Sequence, residues 1–495
     1  MNKKTFVVLL ILFAVIISCS ESAVNEKGSA DIIRADLSQS EETTARLYPL
    51  LEPVDFGGYE FTFLSRTIND PDWVEWDHRD LTAEQQNGDV INDAVFVRNM
   101  KIEEKYNVTI TEIVVENPLV ETRVMQSVRS GDELYDVVCP HVTQFPPTAQ
   151  DGNYVDFFTI PYIDLTKPWW DQGTIRDLSI IGKLFILQGD LLIMDNDAME
   201  AMIFHKGLLD DFDLESPYDI VKRGEWTLSK LIEMTRGVSQ DLNGDGVMDI
   251  QIDRFGCILQ ADSNVSFLVS GGEKICSKDE NDYPIITFGN ERCYRILDKV
   301  SELMLDEDNV VHLHRYEKKF GIYNEQVKMM EENRALFSWI RMRIVERLRG
   351  MEMDFGILPL PKLDTVQEKY ITHMNPHTGA GIAIPMTASN LERTGMILEE
   401  LCAESRYTLQ PAYYDINLLG KYTRDNESEA MLEIILSATA HDIGYVYNFG
   451  DFGMTTLLRN GQNLKSDYAA PFASARSRIE TQINKVVSDY EKLGD

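Results

Sequence analysis

The chain has 495 residues, 44% of them hydrophobic, and sets 81 acidic side chains against 47 basic ones, for a formal charge of −34. So acidic a surface repels polyanions, which excludes nucleic-acid binding built on Lys and Arg neutralising phosphates; neutral or cationic small molecules fit the charge better. The length exceeds what one core of ordinary size serves, so two or more lobes are expected.

At the N-terminus, Met1-Asn2-Lys3-Lys4 precedes an apolar run from Phe6 to Ile17 and then Ser18-Cys19, the layout of an export signal over residues 1–18. About a dozen apolar residues fall short of the roughly 30 Å of bilayer hydrocarbon, which disfavours a permanent transmembrane helix. Ile16-Ile17-Ser18-Cys19 resembles the bacterial lipobox, with Ile16 in place of the commoner Leu. That resemblance implies lipidation of Cys19 and a mature chain held by acyl chains on the outer face of the cell membrane. Loss of Lys3 and Lys4 with the signal brings the charge to −36, two fewer than the 47 basic residues present. Residues 19–54 are rich in Ser, Glu, Ala and Thr, cannot bury enough surface to offset ordering entropy, and read as a tether.

The domain proper is expected over 55–495. Gly58-Tyr59-Glu60-Phe61-Thr62-Phe63-Leu64 alternates as a half-buried strand does. Ile91, Ala94, Val95 and Ile102 then keep helical spacing, the chain turns at Asn107, and Val108 to Val115 reads as a second strand. Val120, Val124 and Val128 mark a helix that stops at Ser130-Gly131, before a short buried strand at Tyr135 to Cys139. This alternation predicts an α/β lobe with a largely parallel sheet, roughly 55–163 plus a later segment. The second lobe, roughly 164–325 plus C-terminal segments, shows its clearest strand at Lys183 to Gln188. Helices are predicted over Leu228–Thr235, Cys293–Leu305, Ile340–Leu348, Leu391–Glu404 and from about Phe472 onward, where Ala475, Ile479, Ile483, Val487 and Tyr490 share a face. Phe355 to Pro359 and Gly381 to Pro385 are short apolar runs, each closed by proline. Cys139, Cys257, Cys276, Cys293 and Cys402 are odd in number and hold no C-x-x-C pair, so they read as small buried hydrophobes and not as a disulfide or zinc framework.

The sharpest internal motif is Asp241-Leu242-Asn243-Gly244-Asp245-Gly246-Val247-Met248-Asp249, which follows the spacing of an EF-hand loop. Calcium is the natural candidate, with Asp241, Asn243, Asp245, the Val247 carbonyl and Asp249 as ligands. Ile252 stands at the twelfth position, so Asp253 is the candidate that closes the shell. The alternative is an acidic loop held by Asx turns without metal.

Tryptophans cluster in polar or proline-bearing contexts such as Lys167-Pro168-Trp169-Trp170-Asp171. An exposed indole offers a plate to the C–H face of a pyranose, and carboxylates accept from its hydroxyls. Trp169, Trp170, Trp226 and Trp339, with Asp171 and Asp190, are therefore the candidate ligand-binding residues; for each Trp the competing assignment is the lobe core. An enzyme would need a nucleophile, base or catalytic metal, and neither H-E-x-x-H nor G-x-S-x-G occurs. His312 with His314 and His373 with His377 are spaced for metal only in principle.

Gly88-Asp89-Val90-Ile91-Asn92-Asp93-Ala94 leading into Glu103-Glu104-Lys105-Tyr106-Asn107, then Lys167-Pro168-Trp169-Trp170 and Gly224-Glu225-Trp226-Thr227, occur in an order that is informative as a set. Phe355-Gly356-Ile357-Leu358-Pro359-Leu360-Pro361-Lys362, Gly381-Ile382-Ala383-Ile384-Pro385, Tyr413-Tyr414-Asp415 and Lys421-Tyr422-Thr423-Arg424-Asp425 continue it. Together these stretches resemble the family 1 extracellular solute-binding proteins of ABC importers, the group that includes sugar-binding lipoproteins. The resemblance implies a two-lobed periplasmic-binding-protein-like α/β fold with a hinge, a solute in the interlobe cleft, delivery to an ABC permease, and no catalysis. One departure is His205 before Lys206, where similar proteins usually carry Asn. We expect a monomer that captures a carbohydrate or oligosaccharide; a lipid-anchored hydrolase and a receptor for a peptide or other non-sugar solute are the alternatives.

Overall fold

Alternation along Tyr59–Thr67 builds strand β1, in which Phe61 and Phe63 are fully buried. The computed structural model describes residues 46–68, 76–317, 319–348, 350, 353–418, 426–459 and 467–494. Cys19, the signal and most of the tether thus lie outside the described residues, as does the stretch Lys421 to Asp425.

Helix α1 (Val90–Tyr106) begins where the Asp89 side chain accepts from Asn92 N and ends at Asn107, whose φ of 46° is the left-handed conformation that Asn tolerates. Strand β2 (Val108–Glu116) then runs parallel to β1 along its whole length, Tyr59 opposite Val108 and Thr67 opposite Glu116. Helix α2 (Leu119–Ser130) stops at Gly131, φ 70°, and β3 (Val137–Val138) pairs with the other edge of β1. The order β2-β1-β3, with a helix at each crossover, is the parallel unit that the sequence periodicity predicts.

The chain from Asp164 to Gln188 departs from the expected boundary. It packs with this first sheet, not the second: Leu187 bridges Ile382, whose neighbour Ala383 bridges Val138 of β3. Lys183 to Gln188 forms isolated bridges and no regular strand, because its apolar side chains fill gaps beside the sheet without extending a ladder. Asp171 caps helix α3 (Gln172–Leu178) within this stretch. The one-turn helix α4 (Met194–Asp197) carries the chain across to the second sheet.

That sheet holds β4 (Glu200–His205), β5 (Phe255–Leu259), β6 (Val310–His312), β7 (Ala335–Arg341) and β8 (Phe355–Leu358) in the order β8-β4-β7-β5-β6. Strands β5, β6 and β7 are parallel; β4 runs antiparallel to both its neighbours, β7 and β8, so β8 points the same way as the other three. Every residue of these five strands is buried. Helices α5 (Leu228–Arg236), α6 (Glu291–Met304) and α7 (Ile322–Glu331) cover it, so its strands read as unbroken apolar runs. This is why the helix predicted from Ile340 is wrong: Ile340 lies in β7, and only Met342–Leu348 coils, as a 3-10 turn and one helical turn. The ring of His205 caps the next helix by accepting from Leu208 N at 3.1 Å.

Helices α8 (Leu391–Ser405) and α9 (Leu409–Leu418) pack on α1, and α10 (Asn426–Ser437) lies on β8. The last helix, α11 (Ala469–Lys492), buries Ala475, Ile479, Ile483, Val487 and Tyr490 as predicted. Its Phe472 ring lies 4.9 Å from Phe288 beside the second sheet, and its Tyr490 ring 4.9 Å from Phe185 beside the first. The five cysteines after Cys19 are free and buried.

Candidate functional site

Open α/β sheets hold ligands outside the carboxyl ends of their parallel strands. Here those ends face one another. After β1, Asp77 accepts from Thr67 Oγ1 and Ile68 N, both at 2.9 Å, and so fixes the neighbouring Trp76. Trp76 is 1% exposed, and its ring lies 5.8 Å from the guanidinium carbon of Arg341 at the end of β7. The same guanidinium lies 5.3 Å from the Trp339 ring and donates to Asp262 and to the Tyr323 hydroxyl. Burial lowers the Arg341 pKa to about 10, partly offset by Glu200, so it stays charged at neutral pH.

A second contact crosses the same crevice. Arg79 reaches Glu346 at 2.6 Å and Asp197 of α4 at 3.2 Å. Burial opposes its charge, but the two carboxylates outweigh that and hold its pKa above the ordinary arginine value.

Several buried polar atoms at these strand ends make no hydrogen bond: Nε1 of Trp339, Nε of Arg341, Nε and Nη1 of Arg66, and both ring nitrogens of His312. Burial, with His314 and Arg315 adding to it, lowers the His312 pKa to about 3, so its ring is neutral with one donor and one acceptor. A buried group left unpaired costs about 1–3 kcal/mol, and such groups are rare enough to need a reason. They lie at the ends of β1, β6 and β7, where the Trp76–Arg341 contact brings the two sheets together.

A cavity of about 810 Å³ lies elsewhere and shares no lining residue with this group. It gathers Trp169, Trp170, Asp171 and Asp190, four of the six predicted ligand contacts. None of them offers what was expected. Trp169 and Trp170 are 0% and 1% exposed, and Trp170 Nε1 donates to Glu399 of α8 at 2.8 Å. Asp171 caps α3, taking the Thr174 hydroxyl at 2.7 Å, and faces His441 Nε2 at 3.5 Å. Asp190 pairs with Arg406 at 3.0 Å; burial, opposed by that arginine, raises its pKa to about 7.

Trp226 reaches neither place. It is fully buried, donates to the Pro359 carbonyl at 2.9 Å and lies 5.4 Å from Phe337 in the core of the second sheet. Trp339 lies in the crevice but is also 0% exposed. The expectation of exposed indole plates is therefore overturned for all four, since their rings fill the interior. Sequence reasoning missed Arg79, Asp262, Tyr323, Arg341 and Glu346. They are polar residues held buried or half-buried by tertiary pairing, which leaves no periodic signature.

In the Asp241 loop the carboxylates accept from the loop's own backbone. Asp241 takes Gly244 N and Gly246 N, both at 2.7 Å, with the two glycines at φ 72° and 82°. Asn243 takes Asp245 N, Asp245 takes Val247 N, and Asp249 takes Gln251 N. Asp253 is fully buried and accepts from Leu242 N and Asp249 N, so it clips the loop from beneath instead of closing an oxygen shell. Among the described residues, no three His, Cys, Asp or Glu side chains gather as a metal site. His373 is likewise engaged, with Glu200 at 2.8 Å.

No protein-family model matches the chain, and no curated protein matches it in sequence. Solved structures do match in fold. The cyclic α-maltosyl-1,6-maltose binding protein from Arthrobacter globiformis is 13% identical over 87% of this chain and 100% of its own, with a TM-score of 0.58. An ABC substrate-binding protein from Listeria monocytogenes in complex with cycloalternan is 11% identical over 86% and 99%, with a TM-score of 0.55. A maltose/maltodextrin-binding domain from Bdellovibrio bacteriovorus bound to maltotriose is 12% identical over 86% and 100%, with a TM-score of 0.51. The two sheets with their facing carboxyl ends thus form the two-lobed periplasmic-binding-protein-like fold. These structural neighbours are described as sugar-binding or substrate-binding proteins, the class that the sequence resemblance implies.

Proposed function

We propose that this protein is an extracellular solute receptor of an ABC importer, anchored through Cys19, whose solute is an oligosaccharide held in the crevice between the two sheets. The observation that carries this reading is the set of buried, unpartnered polar atoms on Trp339, Arg341 and His312 beside two indoles at the carboxyl ends of the strands. Sugar hydroxyls both donate and accept, so one solute can serve a guanidinium, an indole N–H and a neutral imidazole while its C–H face meets the aromatic rings. The three neighbours named above are oligosaccharide binders, which supports that class. Solute enters when the lobes part at the Trp76–Arg341 and Arg79–Glu346 contacts, and closure then presents the loaded form to a permease. Calcium at Asp241, Asn243, Asp245, the Val247 carbonyl and Asp249 is proposed as a structural addition that tightens a loop already closed by its own N–H donors.

The test is a melting and calorimetry screen of the full chain against neutral α-linked glucose oligosaccharides of two to eight units. One member should raise the melting temperature without turnover, and Trp339→Phe, which keeps a ring but removes the Nε1 donor, should weaken it about tenfold. Flat melting across the panel overturns the sugar reading. Product release overturns the receptor reading in favour of a hydrolase.

A further inference from the structure

The chain crosses between the two sheets more than once, and one side chain ties two crossings together. Glu200, the first residue of β4, follows the α4 crossing and stands opposite Arg341 in the pairing with β7. It is 0% exposed, and its two carboxylate oxygens accept from His373 Nδ1 and Asn375 Nδ2, both at 2.8 Å. His373 and Asn375 belong to a later crossing, in which Met374 bridges Met199, Ala380 bridges His141 and Ala383 bridges Val138 of β3. A carboxylate only accepts, so in the neutral His373 ring the proton sits on Nδ1 and Nε2 is a bare acceptor.

That acceptor has no partner. His373 is 1% exposed, and its Nε2 makes no hydrogen bond. The Tyr445 hydroxyl is in the same state: the residue is 1% exposed, the hydroxyl is unpartnered, and its ring centroid lies 6.0 Å from that of His373. Burial raises the Tyr445 pKa well above the ordinary value, with Glu200 adding to this and Arg341 opposing it. The hydroxyl thus keeps its proton and lies within the field of both charges. Arg341 contributes a third unpartnered atom, its Nε.

Each of these atoms gives up its hydrogen bonds to water on burial, and the fold supplies none in return. A core that needed only the Tyr445 ring would be served better by phenylalanine. The set comprises one fixed acceptor, one hydroxyl that both donates and accepts, and one N–H donor. Neighbouring hydroxyls of a sugar complement it, since each donates once and accepts as well.

We propose that His373 and Tyr445 are solute-binding residues of this receptor and that Glu200 is a positioning residue, holding His373 so that its Nε2 accepts from a solute hydroxyl. The proposal rests on the oligosaccharide reading. It extends the contacts from the strand ends to the segments that join the two sheets.

The test uses the full chain labelled with ¹⁵N-histidine, with the His373 signals assigned by their loss in His373→Gln, and the panel of neutral α-linked glucose oligosaccharides described above. Without sugar, long-range ¹H–¹⁵N spectra should show His373 protonated on Nδ1 and bare on Nε2. Saturation with the panel member that binds best should shift the Nε2 resonance. Tyr445→Phe should weaken that sugar severalfold while leaving the melting temperature of the sugar-free protein unchanged or higher, a split that a structural hydroxyl would not give. Glu200→Gln, isosteric but able to donate, should weaken it about tenfold and move the His373 proton toward Nε2. Where Glu200→Gln does not fold, Tyr445→Phe and the wild-type spectra decide. A wild-type ring protonated on Nε2, sugar binding with an unmoved His373 resonance, or full affinity in Tyr445→Phe overturns this proposal alone. No binding by any panel member overturns the oligosaccharide reading and this proposal with it.

Discussion

At the scale of single residues, the buried carboxylates define a pH dependence. Glu399 is 2% exposed and accepts from Trp170 Nε1 and Asp164 N; burial raises its pKa to about 7, partly offset by the Trp170 hydrogen bond. The folded-state value lies above the ordinary one of 4.5, so the fold disfavours the ionised form. Stability on this account is full below about pH 4.5 and declines as pH rises toward 7, with Asp190, also raised to about 7, acting in the same direction. Asp177 works the opposite way. Burial opposes its charge, but Arg176 and Lys274 lower its pKa to about 2, so its stabilisation is lost only in strong acid. We expect Glu399→Gln, whose amide oxygen still accepts from Trp170, to raise urea stability at pH 8 by about 1–3 kcal/mol and to leave it nearly unchanged at pH 4.5. Equal shifts at both pH values would rule out ionisation as the cause.

At the scale of elements, local signals were readable wherever a cap or a period fixed the structure. Asn107 ends α1 as read, and Ile91, Val95 and Ile102 face the core. What failed was the sheet interior: β7 is buried on both faces, so its period of two vanished into an apolar run and its last two residues, Ile340 and Arg341, were read as helix. The site was less legible still. Clustered tryptophans in polar contexts suggested exposed plates, whereas Trp169 and Trp170 lie under α8 and Trp226 under Phe337. Composition cannot tell which side of the chain a ring turns to. The Asp241 loop is the opposite case, since its glycines at φ 72° and 82° give it the shape that its motif describes. If calcium adds to that loop, EDTA should lower the melting temperature of the wild type and leave an Asp241→Asn, Asp245→Asn variant unmoved. An identical wild-type curve with and without chelator refutes calcium there.

At the scale of the whole molecule, alternating strands and helices were enough to predict two α/β lobes, because each crossover connects parallel strands and each sheet must be covered. The lobe boundary was misplaced because Asp164 to Gln188 belongs to the first sheet only through pairing with Ile382, about two hundred residues later in the chain. Tethering belongs to this scale too. Cys19→Ala is expected to move the protein from the membrane fraction into the medium while oligosaccharide affinity stays as it was; retention on the membrane would exclude lipidation as the anchor.

Helix α11 bears on how such a molecule can move. Its 24 residues form a rod about 36 Å long, with one end seated through Phe472 beside the second sheet and the other through Tyr490 beside the first. A rod of hydrogen-bonded turns does not lengthen. The helix is therefore a strut of fixed length between its two aromatic anchors, and they keep one separation as long as both stay seated.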